Sequence, residues 1–352
     1  MADAIILGVT RWKRSSIRPF IVARHRDARY RRVSRRAVAE AKRDKAPLYV
    51  WAAREEPWLA DAAREAGLSL TRIEDGFLRG VGLGSNFRPA LSLVFDAFGI
   101  YFDSSRESGI ERILADPAFP SPELRAQAQQ LRARLVDEGM TKYNVKNAPR
   151  PAVSIAPGKR IILVPGQVED DASIKRGSPR LKRNLDLIAA VRASAPEAIV
   201  LYKPHPDVES GNRIGKVSDS DARRYADDVL SDWDTLSALA LATEVHTMTS
   251  LLGVEALLRG KSVTTYGLPF YAGLGLTTDA LPWPRPRRAV DLDTLIAAAF
   301  LAYPVYRDPE RDTPVTAFDV LDIIRRQREA APPPRESPLT RGLRWLYLSL
   351  RA

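Results

Sequence analysis

The chain carries 352 residues, 45% of them hydrophobic, with no cysteine and a formal net charge of +11. That length suits two domains, each burying its own core, and the lack of cysteine excludes disulfides, thiolate nucleophiles and thiolate metal sites. No apolar run reaches the roughly 18 residues of a spanning helix, and residues 1–10 lack a secretory pattern, so a cytoplasmic address is expected.

The charge is concentrated near the start. Fourteen Lys and Arg fall within residues 11–45, against only four acids up to residue 45: Asp3, Asp27, Glu40 and Asp44. Two readings stand: a docking face for a polyanion, nucleic acid or an anionic membrane, or a solvated helical face.

In chain order, β-branched apolar runs predict strands at 4–9, 47–52 and 68–73, extended by Ser92–Asp96 and by 99–103. Helical periods fall at 57–66 and at Pro122–Asp137. The segment 145–159, VKNAPRPAVSIAPGK, holds three prolines and little periodicity and reads as a linker. A second set of strands follows at Ile161–Pro165, 198–202, 244–248 and 262–266, separated by helical patterns at 181–194, 235–242 and 251–259. This alternation predicts α/β layers, with an N-terminal domain at 1–150 and a C-terminal domain at 158–310. Residues 315–352 are expected to pack back on the first domain. Within them Leu339, Leu343, Leu346 and Leu350 recur at helical spacing beside Arg341, Arg344 and Arg351, a pattern shared by packed terminal helices and interfacial membrane helices.

Four stretches place polar residues where a strand ends, the edge at which open α/β sheets bind ligands. IEDGFLRGVGLG, 73–84, ends a strand in Glu74 and Asp75 and continues through a glycine to Arg79. Its plain alternative is an Asp-Gly turn with a solvated arginine. VPGQVEDDASI, 164–174, delivers Gln167 and three adjacent acids, Glu169, Asp170 and Asp171. Clustered oxygens suit a hard cation, a carboxylate beside a glutamine suits catalysis, and acids before a helix are favoured by its dipole alone.

LYKPHPD, 201–207, brackets His205 between Pro204 and Pro206, which restrict its backbone. Lys203 lies two residues earlier, on the same face of an extended chain, and the pair suits a phosphate. With three histidines and no cysteine a zinc site is not expected. In the stretch 247–277, Thr249 and Ser250 precede a helical pattern whose N-terminus favours an anion. Glu255 follows about one and a half turns on, suited to a ribose hydroxyl. A Walker lysine, a nucleophile elbow and a full dinucleotide fingerprint are all missing.

Together and in this order, EDGFLR, GQVEDDASI, YKPHPD and SLLGVEALLRGKSVTTYGLPFYAG resemble the capsular polysaccharide biosynthesis family of β-Kdo glycosyltransferases of the KpsC type, over residues 74–277. The resemblance implies an α/β, GT-B-like fold of two Rossmann-like domains facing a central cleft. It also implies metal-independent, retaining transfer of Kdo from CMP-Kdo to a lipid-linked Kdo or saccharide acceptor, with no cofactor beyond the donor. The family's Gln-x-x-x-Asp pattern falls on Gln167 and Asp171, which makes Asp171 the nucleophile of a glycosyl-enzyme intermediate. Glu74 becomes the acid or base at the acceptor. His205, with Lys203 and Pro206, becomes the holder of the CMP phosphate, joined by Thr249 and Ser250, while Glu255 takes the ribose. Asp75 and Arg79, in the same Glu-Asp-Gly stretch, are expected to bind substrate, and no residue is given a metal. The family commonly has a Trp in the loop after Phe-Tyr-Ala-Gly, where this chain has Leu274. Many members carry two catalytic modules where this chain has room for one, which implies a single type of linkage.

The expected partners are CMP-Kdo, a lipid-linked acceptor and, through the basic segment, an anionic membrane surface, with a capsule biosynthesis or export complex beyond them. The expected place is the cytoplasmic side, peripheral on the inner membrane. Nucleic acid is not expected, for aromatic platforms and recognition motifs are lacking. The alternative is a non-catalytic accessory protein of polysaccharide biosynthesis or export on the same fold.

Overall fold

The computed structural model describes residues 3–81, 89–142, 158–211, 213–231 and 233–330. Most of the predicted linker and the leucine-rich tail lie outside the described residues. The first unit runs β1 (Ala4–Leu7), α1 (Arg11–Val22), β2 (Ala28–Arg31), α2 (Arg35–Arg43), β3 (Leu48–Trp51), α3 (Leu59–Glu65), β4 (Leu70–Asp75), β5 (Ser92–Asp96), α4 (Gly109–Ala115) and α5 (Pro122–Asp137). AIIL and LYVW, the sequences of β1 and β3, are buried throughout, as strands covered on both faces must be. Ser34, Ser108 and Ser121 accept backbone N–H groups at the starts of α2, α4 and α5, which fixes where those helices begin.

The second unit runs β6 (Ile161–Pro165), α6 (Ala172–Gly177), α7 (Asn184–Ser194), β7 (Ile199–Lys203), α8 (Pro206–Glu209), α9 (Asp219–Ala222), β8 (Asp228–Val229), α10 (Thr235–Leu241), β9 (Glu244–Thr247), α11 (Leu252–Leu258), β10 (Ser262–Thr265), β11 (Thr278–Asp279) and α12 (Leu292–Ile296). Its sheet is parallel, in the order β11-β10-β9-β6-β7-β8. After β6 the chain moves toward β8, and after β9 toward β11. The loops that follow these two neighbours therefore diverge and open a crevice at the strand ends, the place where such sheets bind ligands.

The chain then returns. β12 (Pro304–Asp308) and β13 (Thr313–Val315) join the first sheet, whose order is β13-β12-β5-β4-β3-β1-β2. β12 lies antiparallel to β5, and β5 antiparallel to β4. The second unit, expected to reach 310, thus gives its residues from Pro304 onward to the first sheet. α13 (Ala317–Glu329) follows, with Asp322 2.8 Å from Arg134 of α5. Arg328 donates to the carbonyls of Glu138 and Gly139 just past that helix.

Two expectations change. Residues 99–103 form turns rather than a strand, because Asp96 accepts the N–H groups of Phe98 and Gly99 and bends the chain. The basic segment is also more than a solvated face: it builds α1, β2 and α2. Its own arginines take up all four acids, Asp3, Asp27, Glu40 and Asp44.

The two units share one continuous apolar core. Phe77, just past β4, stacks on Phe270, just past β10, with ring centroids 4.8 Å apart. Around the core, Glu111 of α4 accepts from Trp283 at 3.1 Å and from Arg285 at 2.8 Å. Leu274, the residue in place of the family's Trp, is 1% exposed within this core, so it packs between elements rather than facing a ligand.

Candidate active site

In the second unit the wall is built from the end of β6. Gly166 turns the chain against β7, where a Cβ would sit 2.8 Å from Tyr202 Oη and 3.0 Å from His205 N, so only glycine fits. Gln167 then braces two loops. Its Oε1 accepts from Thr247 Oγ1 at 3.1 Å and Thr249 N at 3.0 Å, and its Nε2 donates to Thr249 Oγ1 at 2.9 Å. Asn184 holds its backbone N–H at 2.8 Å. Gln167 thus fixes the loop after β6 against the loop after β9.

The three acids that follow separate into three tasks. Glu169 Oε1 accepts the N–H of Asn184 at 2.7 Å, at the start of α7. Asp170 pairs with Arg213 at 3.0 Å. Asp171 caps α6, with Oδ1 accepting from Ser173 N at 2.9 Å and Ser173 Oγ at 2.8 Å. Its Oδ2 stands 4.0 Å from Arg213. Among the described residues no group of three acids or histidines converges to hold a metal ion, and the acidic run disperses for these reasons.

β7 delivers Lys203 and His205. Lys203 is buried and its Nζ reaches the carbonyl of Leu230 at 3.5 Å, toward the end of β8. Pro206 opens α8, and His205 caps that helix by accepting the N–H of Asp207 on Nδ1 at 3.1 Å. That bond sets the tautomer: neutral His205 carries its proton on Nε2. Burial, with the charges of Lys142 and Arg213, outweighs Asp207 and Asp171 and lowers His205 to about 4. The ring is neutral at pH 7 and is a donor through Nε2.

After β9, Ser250 accepts the N–H of Leu252 at 3.2 Å and Tyr271 Oη donates to the Ser250 carbonyl at 2.5 Å. Glu255, in the first turn of α11, reaches across to the first unit, where Oε1 accepts the N–H of Lys142 at 2.8 Å. Burial raises its carboxyl to about 7, against the pull of Lys142 and Arg259.

The first unit faces this wall with the end of β4. Glu74 is 9% exposed, and its Oε2 is buried with no hydrogen-bond partner. Burial pushes its carboxyl up to about 8, helped by the negative charges of Asp75 and Asp171 and opposed by Lys13. Asp75 goes the other way. Burial would raise it, but Lys13 at 3.1 Å and Arg79 at 3.2 Å hold it well below the usual carboxylate range. Lys13 itself lies over the Trp51 ring, 3.7 Å from the centroid. Of two adjacent carboxyls, one is neutral at pH 7 and the other is a locked anion.

The units come together through α6. Arg176 at its end donates to the Glu55 carbonyl at 2.9 Å and stands 3.6 Å from Asp103, while Ser104 donates to the Arg176 carbonyl at 3.2 Å. Glu55 in turn is held by Arg72 of β4 through two bonds of 2.7 Å. The helix capped by Asp171 is thereby tied to β4, the strand that carries Glu74. Thr249 and Ser250 stand beside Gln167 in the same crevice, whereas Asp75 and Arg79 are engaged with each other.

Sequence reasoning missed Lys13, Lys142, Arg176 and Arg213. Lys13 was one charge among fourteen. Lys142 acts on Asp75, His205 and Glu255 at once, and only the folded chain brings those three groups near it.

Two α/β units, one sheet mixed and one parallel, with facing strand edges that carry carboxylates and an imidazole, define a protein of GT-B-like class. The profile described as "Capsule polysaccharide biosynthesis protein" matches residues 53–157 and 150–306, and the chain belongs to that family. It is 44% identical to the capsule polysaccharide modification protein LipA of Neisseria meningitidis serogroup B, over 92% of this chain and 45% of LipA. It is 42% identical to the lipopolysaccharide-processing protein LpsZ of Rhizobium meliloti, over 69% of this chain and 56% of LpsZ. The chain thus spans about half the length of these curated relatives. Among solved structures it resembles the β-Kdo 2,7 transferase of Thermosulfurimonas dismutans KpsC, with TM-score 0.75, 33% identity and coverage of 93% of this chain and 99% of that one. The β-Kdo 2,4 transferase of the same KpsC aligns with TM-score 0.77 and 29% identity, over 91% and 97%.

Proposed function

We propose that the chain is a retaining β-Kdo glycosyltransferase that moves Kdo from CMP-Kdo to a lipid-linked Kdo or other saccharide acceptor in capsule or surface polysaccharide biosynthesis. The observation that carries this reading is the placement of Asp171 at the switch point of the second sheet, within reach of the charge of Glu74, whose carboxyl burial raises to about 8, and beside His205. The likeness to two KpsC Kdo transferases supports it.

In the first step an Asp171 carboxylate oxygen bonds to the anomeric carbon while the bond to the CMP phosphate breaks, its electron pair leaving with CMP. Oδ2 suits this role, since Oδ1 is engaged by the helix cap. Nε2–H of His205 donates to the departing phosphate, and Thr249 and Ser250 border the same crevice. Lys203 stiffens the strand end, and Glu255 serves the ribose or the joint with Lys142. In the second step the acceptor hydroxyl attacks the anomeric carbon, its proton passes to ionised Glu74, and the bond to Asp171 breaks. Two inversions retain the configuration.

No metal or cofactor enters this scheme. The basic first unit is suited to an anionic membrane surface on the cytoplasmic side, where a lipid-linked acceptor would lie, and no helix among the described residues is long and apolar enough to cross a membrane. The test is incubation with CMP-Kdo and a Kdo-terminated lipid, with and without chelator. A product one Kdo heavier, formed at the same rate in both, is expected; absence of transfer and of CMP binding would point to the non-catalytic accessory role instead.

A further inference from the structure

Arg213 sits in the loop between α8 and α9 and brings its charge toward the Asp171 oxygen that the helix cap leaves unused. Its guanidinium is 3.0 Å from Asp170 Oδ1 and 4.0 Å from Asp171 Oδ2, and its charge also reaches His205. The loop is fastened where it matters. The Ile214 carbonyl accepts the N–H of Glu169 at 3.0 Å, and the Gly215 carbonyl accepts from Asn184 at 2.9 Å. Gly215 has φ +130°, and a Cβ there would meet the Gln167 carbonyl at 2.8 Å, so the close approach requires glycine. The loop bearing Arg213 is thus tied to the loop bearing the acids at Glu169 directly and at Gln167 through Asn184.

As a stability device the ion pair does little, because its side chains are 38% and 40% exposed and pairs of that kind contribute almost nothing. The reaction gives it a purpose. A 2-keto sugar acid activated at its anomeric carbon carries a carboxylate on that same carbon. A carboxylate nucleophile attacking there brings two anions together, and their repulsion must be offset by a fixed cation. We propose that Arg213 binds the carboxylate of the sugar-acid donor beside Asp171, with Asp170 holding the guanidinium in position. The proposal rests on the reading of Asp171 as nucleophile and adds a specificity: neutral nucleotide sugars lack the group that Arg213 grips.

The test compares wild type with Arg213→Gln, Arg213→Lys and Asp170→Asn. Each is assayed for kcat and KM with CMP-Kdo, and for binding of CMP alone by calorimetry. CMP lacks the sugar carboxylate, so its affinity should be unchanged in all three variants. Arg213→Gln should lower kcat/KM for the donor by about ten- to a hundredfold, the usual effect of losing one charge-assisted contact. Arg213→Lys should recover part of that loss, and Asp170→Asn should show a smaller one. The substituted side chains are exposed at Arg213 and half-buried at Asp170, and unchanged CMP binding also reports an intact fold. Wild-type kcat/KM in Arg213→Gln would overturn the proposal, as would a fall in CMP affinity by the same factor as kcat/KM, which would make Arg213 a phosphate ligand. Absence of transfer by the wild type would overturn the Kdo reading itself; transfer by the wild type with an unimpaired Arg213→Gln would overturn this proposal alone.

Discussion

Glu74 and Asp75 are adjacent at the end of β4, yet burial raises the first to about 8 while Lys13 and Arg79 overcome burial and hold the second ionised. A base that accepts the acceptor's proton must itself be ionised. With Glu74 in that role, kcat/KM for the acceptor should rise with pH to a plateau above about pH 8. Lys13 stabilises ionised Glu74, so Lys13→Met should move this limb to higher pH; an unmoved limb would separate Lys13 from the acid/base group. Glu74→Gln should remove the limb and slow transfer by roughly two to four orders of magnitude.

His205 is neutral at pH 7 and donates through Nε2. Its titration lies near pH 4, so it should add no limb to the pH profile between about 5 and 8. His205→Ala should cost about a hundred- to a thousandfold in kcat, the range for loss of one preorganised donor. A variant with near-normal kcat would remove His205 from leaving-group stabilisation.

Gln167 hydrogen-bonds inside the second unit to Thr247, Thr249 and Asn184. Gln167→Ala leaves buried groups unpaired and should destabilise the fold by on the order of 1–3 kcal/mol, measured by urea denaturation. Stability equal to wild type would mean that the brace is redundant.

Glu255 has a folded value near 7 against about 4.3 in a free chain. Its folded pKa is raised, so the stability this gives is complete below about pH 4 and is lost as pH rises through about 7. Glu255→Gln keeps an acceptor for the Lys142 N–H and removes the titration. Wild type should therefore lose stability relative to Glu255→Gln between about pH 5 and pH 8. Parallel stability curves would contradict the buried carboxyl.

Much of the fold was legible where local signals agree. Ser92–Asp96, Pro122–Asp137 and Ile161–Pro165 fall at the expected bounds, because a buried apolar run or a Ser-Pro-Glu start marks the ends directly. What stayed hidden was non-local. The pairing of β12 with β5 joins residues about two hundred positions apart, and no periodicity encodes such a partner. The same holds at the site. Motifs singled out Asp171, His205 and Glu74 as candidates, but the raised carboxyl of Glu74 depends on burial, and the place of Arg213 depends on a loop tied down at Ile214 and Gly215. The charged segment hid α1 and β2 because its arginines mask the short apolar pattern of Ile17, Phe20 and Ile21.

The central claim is that Asp171 forms a covalent bond to the sugar. Glu74→Gln should slow the second step more than the first, so incubation of that variant with CMP-Kdo and acceptor should accumulate protein heavier by one Kdo, located by peptide mapping at Asp171. Glu74→Gln combined with Asp171→Asn should show no adduct, and Asp171→Asn alone no transfer. An Asp171→Asn enzyme that transfers Kdo as fast as wild type, with no adduct in any variant, would contradict the account.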